Sequence, residues 1–190
     1  MFELKYHTPI EWAHIAVADF DSFLQDHAAA EKKAASMAMT MLSHYQDRTK
    51  LVKAMVDLAL EEMIHFKQVL KLMTRRGVIL ANDEKDPYIN EIRKMFRHTR
   101  DEKFLDRMLV AGVIEARGHE RFSLISQALP EGKDKIFYDD IARSEEKHKN
   151  LFVELAIEYF PEDMVYKRLE EILVEEGRIC SELPFRAALH

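Results

Sequence analysis

The sequence predicts an all-α protein, and its composition is the first reason. Glycine and proline number only five each among 190 residues, and 47% of the chain is apolar. This scarcity of turn residues, together with abundant Ala, Leu, Glu, Lys, Met and Arg, favours helices over sheets. The second reason is that apolar residues recur at helical spacing over long stretches free of proline and glycine. The length is that of one domain, so we expect a single domain over residues 1–190.

The first half of the chain predicts a short helix followed by two long ones. Thr8 has the character of an N-cap, with Glu11 placed to close a capping box. Long helices are expected over about 21–46 and, after a three-residue break, as far as Arg76, with Gly77 as the C-cap. A loop so short requires the two long helices to run antiparallel.

The second half of the chain predicts a long crossover and then another hairpin. Asn82, Asp83 and Asp86 mark a loop, and Asp86 is placed to cap a smaller helix over 87–98. Further helices are expected over 101–129, 133–160 and 161–180, before a tail at 183–190. The order of hairpin, long crossover and hairpin is that of a ferritin-like four-helix bundle, with short N-terminal, crossover and C-terminal helices added.

Charge and cysteine content limit the kinds of protein this chain can be. The formal net charge is −6, which argues against a protein that binds nucleic acid over its entire surface. Cys180 is the only cysteine, which excludes an intramolecular disulfide, a zinc ribbon and a cysteine-ligated iron–sulfur centre. The longest apolar run, over 108–114, is far below the roughly 20 residues that span a bilayer. We expect a cytoplasmic protein without a membrane partner.

Two Glu-x-x-His units point to a metal centre. Glu62 and His65 form one, and Glu145 and His148 form the other. Three positions on a helix separate two side chains by about 60° around the axis and about 4.5 Å along it, so both reach one ion. A carboxylate-bridged pair of metals also needs a lone glutamate from each of two further helices. The candidates are Glu31 and Glu115.

The spacing of these residues repeats between the two halves of the chain. The lone glutamates are offset by 84 residues, and the second glutamates and the histidines by 83 each. Two copies of one helical hairpin, related by a pseudo-two-fold axis through the metals, produce such a repeat. The same offset relates Asp57 and Asp140, which we predict to accept hydrogen bonds from the ligating imidazoles.

Other histidines and acids lie near these candidate ligands in the sequence. His27 and His119 are each four residues from a lone glutamate and share its helix face. We expect both to pack beside the ligands rather than to bind metal, although ligation by His119 stays open. Glu120 is a candidate auxiliary ligand.

The ligand set predicts the metal but not the reaction. Six ligands with four carboxylates, two imidazoles and no thiolate suit iron or manganese better than zinc or copper(I), and we favour two iron ions. A di-iron pair reacts with O₂ and then hydroxylates a C–H bond, oxidises Fe(II) or removes peroxide. The ligands do not choose among these outcomes.

The third long helix resembles a known enzyme family. Residues 104–122 contain Ile114-Glu115-Ala116-Arg117 followed by Glu120-Arg121-Phe122, and this stretch is similar to the third-helix signature of the tRNA 2-methylthio-isopentenyladenosine hydroxylases. Length and helix order fit the family across nearly the whole chain. The Gly118-His119 pair departs from the family pattern.

The resemblance implies a function, cofactors and partners. It implies an O₂-dependent non-haem di-iron monooxygenase that hydroxylates the isopentenyl group of the modified adenosine beside the tRNA anticodon. The implied partners are the tRNA anticodon stem-loop and an electron-transfer reductase that serves as the external electron donor. The identity of that donor, the need for the methylthio group and the oligomeric state stay open.

A basic segment beside the third long helix is the candidate RNA surface. Phosphate contacts depend on clustered cations more than on net charge. A solvated, charge-laced helix face explains the same residues equally well. The four candidates are Arg93, Lys94, Arg97 and Arg100.

Two other classes of protein fit parts of the sequence. A ferritin-like oxidase or peroxidase related to rubrerythrins would use the same ligands on O₂, peroxide or Fe(II) without RNA. A metal-free helical scaffold is disfavoured, because several carboxylates in one core are costly without a cation.

Overall fold

The computed structural model describes residues 2–82 and 84–190, and within them every regular element is a helix. This confirms the all-α class. Asp83, which the sequence assigns to a loop, lies outside the described residues. The helices in chain order are α1 (Ile10–Ala18), α2 (Phe20–His44), α3 (Thr49–Arg76), α4 (Pro87–Arg93), α5 (Arg100–Ala128), α6 (Lys133–Ile157) and α7 (Glu162–Glu182).

Two predicted helix ends are confirmed by their capping geometry. Gly77 adopts the left-handed conformation with φ of 71°, and its N–H bonds to carbonyls of the last turn of α3. The Asp86 carboxylate accepts hydrogen bonds from the backbone N–H groups of Tyr88 and Ile89 at the start of α4. Both caps satisfy backbone groups that a helix end otherwise leaves unbonded.

Two other predicted ends are wrong for identifiable reasons. The helix expected over 87–98 ends at Arg93, because the chain tightens into turns and the N–H of Arg97 bonds to the Asp106 carboxylate instead. The Thr8 hydroxyl does not form the expected capping box with Glu11. Both the hydroxyl and the N–H of Thr8 donate to Glu120 on α5, which anchors the N-terminal segment there.

The chain divides into two compact units, each built on one helical hairpin. The first-hairpin unit comprises Ala16–Glu84 with Ala187–Leu189. The second-hairpin unit comprises the residues up to Ile15, Lys85–Arg186 and His190. A single domain over the whole chain stays a prediction.

The first-hairpin unit is the antiparallel pair α2 and α3. Their facing sides bury small and apolar side chains such as Leu24, Ala28 and Met55. At the open end of the hairpin, Arg76 pairs with Asp21 at 2.8 Å on the surface. The chain's C-terminal tail is held here as well, since the N–H of Leu189 donates to Asp26 at 2.6 Å.

The second-hairpin unit packs α5 against α6, with α7 against both and α4 against α7. Helix α5 is apolar or buried over most of its circumference, which places it at the centre of this unit. The backbones of α5 and α6 approach closely at Gly112, where a Cβ atom would lie 3.1 Å from the Lys149 carbonyl oxygen and 3.2 Å from Phe152 Cβ.

In the part of the chain that the structure describes, no helix is both long and apolar enough to cross a bilayer.

Candidate metal centre

Three of the predicted ligands converge inside the first-hairpin unit, and we call them the first triad. Glu31 comes from α2, and Glu62 and His65 come from α3. His65 Nδ1 lies 3.6 Å from a Glu31 oxygen and 3.5 Å from a Glu62 oxygen. One donor atom from each of the three lies within 4.8 Å of those of the other two.

The other three predicted ligands converge in the same way inside the second-hairpin unit and form the second triad. Glu115 comes from α5, and Glu145 and His148 come from α6. His148 Nδ1 lies 3.4 Å from a Glu145 oxygen and 3.9 Å from a Glu115 oxygen. These three residues also bring one donor atom each within 4.8 Å of the others.

Burial and donor chemistry show that each triad fits a divalent metal ion. The six side chains are at most 7% exposed. Two carboxylates and one imidazole buried together cost free energy unless a cation compensates them. Donor atoms bonded to one ion at about 2 Å and at right angles are about 3 Å apart, close to the spacings seen here. The donor set of carboxylate oxygen and imidazole nitrogen, without thiolate, suits iron.

The two triads differ in how their lone glutamates are held. His27 is fully buried one turn before Glu31, and its Nε2 donates to a Glu31 oxygen at 2.6 Å. His27 therefore packs beside Glu31, as expected from its position, and the binding of a metal by Glu31 stays a prediction. The repeat places Ala111 at the matching position before Glu115, so no imidazole supports the second lone glutamate from that position.

His119 and Glu120, on the turn of α5 after Glu115, make other contacts. His119 Nδ1 lies 2.7 Å from the carbonyl oxygen of Ala142, to which it donates across the α5–α6 interface. The Glu120 carboxylate accepts hydrogen bonds from Thr8 and Arg117. The structure therefore places the His119 ring against the α6 backbone through Nδ1, and metal binding by its other ring nitrogen stays open. The suggestion that Glu120 is an auxiliary ligand is wrong, because its carboxylate is taken up by Thr8 and Arg117.

The prediction that Asp57 and Asp140 orient the ligating imidazoles also needs correction. Both side chains are exposed, and Asp140 pairs with Arg143 on the surface. Each aspartate precedes a ligating glutamate by five residues, which is about 140° around the helix, so it faces away from the ligands. The two aspartates share the spacing of the repeat, but their carboxylates do not point toward the interior.

The basic segment is only partly available to RNA. Arg97 donates from two guanidinium nitrogens to both carboxylate oxygens of Asp106, which is fully buried. Arg168 on α7 binds the same carboxylate. Burial alone would raise the pKa of Asp106, but the hydrogen bonds from the two arginines lower it below its usual value. Arg97 therefore has a structural role as the partner of Asp106, and its contact with RNA stays a prediction. Arg93, Lys94 and Arg100 are exposed.

A buried network around Arg117 was not predicted from the sequence. Arg117 on α5 donates from two nitrogens to both carboxylate oxygens of Glu176 on α7, at 2.8 and 2.9 Å, and both residues are fully buried. Tyr88 donates its hydroxyl to Glu176 at 3.0 Å. Burial, followed by the charge of Glu176, raises the pKa of the nearby Cys180 thiol to about 12. The network joins α4, α5 and α7.

Two curated relatives match this chain's sequence over most of its length. The tRNA 2-(methylsulfanyl)-N(6)-isopentenyladenosine(37) hydroxylase of Pseudomonas putida KT2440 is 35% identical over 186 residues, which are 96% of this chain and 90% of the relative. The hydroxylase of the same name from Salmonella typhimurium LT2 is 30% identical over 139 residues, 73% of this chain and 51% of that protein.

A solved structure shares the fold. Protein 43 with aldehyde deformylating oxygenase activity, from Synechococcus, superposes with a TM-score of 0.94 at 32% identity, over 100% of this chain and 96% of the other. The ferritin-like class predicted from the helix order is thereby confirmed.

The family described as tRNA-(MS[2]IO[6]A)-hydroxylase (MiaE) matches residues 2–190. With the buried carboxylate and imidazole triads and the similarity to the Pseudomonas enzyme, this match shows that the chain belongs to that family of oxidoreductases.

Proposed function

We propose that this protein is an O₂-dependent di-iron monooxygenase that hydroxylates the isopentenyl group of 2-methylthio-isopentenyladenosine next to the tRNA anticodon. The observation that carries the proposal is the pair of buried triads with matched spacing, Glu31, Glu62 and His65 in one and Glu115, Glu145 and His148 in the other. Membership of the hydroxylase family supports the substrate.

In this proposal the two triads together hold two iron ions. Such a pair, when reduced, supplies the O₂ chemistry that hydroxylates an unactivated C–H bond. The four carboxylates neutralise the charge of two divalent ions, and the imidazoles bind as neutral donors. His27 holds one Glu31 oxygen by its hydrogen bond and leaves the other for the metal. Burial of all six side chains limits the access of water to the reaction.

The modified adenosine has to unstack from its neighbouring bases in the tRNA to reach the metal ligands. Enzymes that act on a base in a folded nucleic acid extrude the nucleotide, since the stacked base is sterically blocked. Exposed Arg93, Lys94 and Arg100 supply positive charge for the phosphates of the anticodon stem-loop. Because tRNA is the substrate, the protein would act in the cytoplasm.

The proposal is tested by mass spectrometry of nucleosides from prenylated tRNA incubated with the iron-loaded protein, a chemical reductant and isotopically labelled O₂. We expect one labelled oxygen atom on the isopentenyl group. Consumption of O₂ or peroxide with two irons bound and no labelled nucleoside would instead support the oxidase or peroxidase alternative.

Ligand variants test the metal assignment in the same assay. His148→Ala and Glu115→Ala should lose bound iron and hydroxylation while the helical circular dichroism persists. Glu146→Ala is a matched control, since Glu146 is exposed on α6 between the ligating Glu145 and His148. Full iron occupancy and activity in both ligand variants would contradict the assignment.

The RNA surface is tested by charge reversal. Arg93→Glu combined with Arg100→Glu should weaken tRNA binding and reduce its dependence on salt, with iron content unchanged. Lys167→Glu, an exposed lysine on α7, is the control. If the affinity and the salt slope of the double variant equal those of the wild type, this segment does not bind RNA.

A further inference from the structure

The outer face of α3 carries an exposed apolar stripe. Its four side chains are exposed by 43 to 62%, although solvent-facing positions of a helix are ordinarily polar. Their spacing is that of residues on one helix face. We call these residues the α3 stripe: Val56, Leu60, Met63 and Ile64.

Lysines flank the α3 stripe at both ends. Lys53 lies one turn before Val56, and Lys67 and Lys71 continue the same side of the helix after Ile64. All three are exposed, and none forms an ion pair with another residue that the structure describes. Asp57 is an exposed acid beside them. The stripe therefore presents an apolar centre with a cationic rim, the arrangement that complements an acidic partner with an apolar contact patch.

The α3 stripe lies on the helix that supplies two of the candidate metal ligands. Met63 and Ile64 stand between Glu62 and His65 in the sequence, with the ligands buried and the two apolar residues exposed. A helix with its side chains is about 10 Å across. A redox group bound at the stripe is therefore about one helix width from the first triad.

We propose that the α3 stripe and its flanking lysines are the docking site of an acidic one-electron carrier protein. The inference rests on the proposed function, because that reaction needs electrons from outside. In it, R–H and O₂ take up two electrons and two protons to give R–OH and H₂O. One oxygen atom enters the new C–O bond and the other leaves as water. The carrier delivers the two electrons in successive encounters at this face.

Charge and side-chain chemistry favour an acidic protein over other occupants. If two copies of the chain paired their stripes in antiparallel fashion about a two-fold axis, Lys53 of one copy would face Lys67 of the other, and these like charges repel. Single-stranded RNA is held largely by bases stacked on aromatic side chains, and the four residues of the stripe are aliphatic or thioether.

The test uses a plant-type 2Fe–2S ferredoxin, an acidic one-electron carrier, with its own reductase and NADPH. The rate of ferredoxin-dependent reduction of the iron-loaded protein is measured by stopped flow at low and high ionic strength. Leu60→Glu and the double variant Lys53→Glu with Lys67→Glu should each lower this rate at least about tenfold at low ionic strength. Reduction by dithionite and iron content should not change.

Matched variants on the other unit serve as controls. Ile136→Glu replaces an apolar residue on α6 that is 60% exposed, close to the 62% of Leu60, and Lys167→Glu reverses an exposed lysine on α7. Both should keep the wild-type rate. Val56→Glu, six residues before the nearest proposed ligand, repeats the test in case Leu60→Glu disturbs Glu62.

Several results would overturn the docking site. The first is that ferredoxin does not reduce the wild-type protein, and the second is that wild type and stripe variants are reduced at equal rates. The third is that the stripe variants have half the molecular mass of the wild type in solution, and the fourth is that they selectively lose affinity for tRNA. The last two would assign the stripe to a second copy or to RNA. Failure of the proposed function looks different, since hydroxylated nucleoside would then be absent even with dithionite while the ferredoxin rates still separate the variants.

Discussion

The two hairpins carry matching metal triads but are built differently around them. In the second-hairpin unit, a buried ion pair between Arg117 and Glu176 ties α5 to α7. Helix α7 covers the hairpin, and α4 packs against α7. In the first-hairpin unit, the hairpin is stabilised by apolar packing and a surface pair between Arg76 and Asp21, and the outer face of α3 stays exposed. The spacing of the candidate ligands repeats between the two halves, whereas the surroundings of the two triads differ.

This difference suggests a division of labour between the halves. The clamped second hairpin provides a rigid frame for Glu115, Glu145 and His148. The first hairpin adds His27 behind Glu31 and offers the exposed α3 stripe. Paired variants in the two hairpins measure how far the two halves are unequal.

The largest expected effect is on stability. Arg117→Met should lower the free energy of unfolding by about 3–5 kcal/mol, because it leaves Glu176 buried without its main partner. The corresponding change in the first hairpin, Arg76→Met, removes a surface ion pair and a cation–π contact with Phe20, and should cost no more than about 1–2 kcal/mol. Urea denaturation of both variants measures the difference, and equal costs would show that the second hairpin is not specially clamped.

The next effect is on metal affinity. His27→Ala should weaken the binding of one of two iron ions by about 10–100-fold, because Glu31 loses the hydrogen bond that orients it. His119 lies one turn after Glu115, the lone glutamate of the second triad. His119→Ala should leave the affinity for both iron ions unchanged, since His119 binds a backbone carbonyl. Iron titration against a competing chelator distinguishes the two ions. If His27→Ala lowers the affinity for both iron ions equally, the two halves bind their metals in the same way.

The smallest effect concerns acid and belongs to the second-hairpin unit alone. Burial tends to raise the pKa of Asp86, but the hydrogen bond and charge of His190 lower it from 3.8 to about 2. A carboxyl with a lowered folded-state pKa adds stability above pH 4 and loses it as the pH falls toward 2. Asp86→Asn should therefore cost about 2 kcal/mol at pH 6 and almost nothing at pH 2.

Unfolding of Asp86→Asn and the wild type across this pH range checks the prediction. Asp21→Asn in the first hairpin is the comparison, because its ion pair with Arg76 is exposed. A loss in Asp86→Asn that does not change with pH would mean that the capping geometry, and not the charge, is what stabilises α4.

The six candidate ligands were predictable because helical spacing and the internal repeat are both visible in the sequence. The inward direction of His27 followed from its position four residues before Glu31. The pairing of Arg117 with Glu176 did not, since the two are 59 residues apart and no periodicity tells which buried charges meet. The prediction for Asp57 and Asp140 was wrong because a repeat in sequence fixes only spacing, whereas the direction of a side chain depends on its angle around the helix.

The close approach at Gly112 fixes the distance between the α5 and α6 backbones beside the second triad. Gly112 precedes Glu115 by three residues, and it contacts α6 at Lys149, the residue after His148. Any larger residue there would wedge the helices apart by a few tenths of an ångström beside two ligands. If this half-site is transplanted into another helical scaffold, the glycine has to be kept together with the carboxylates. It sets the distance between the two helices that carry them.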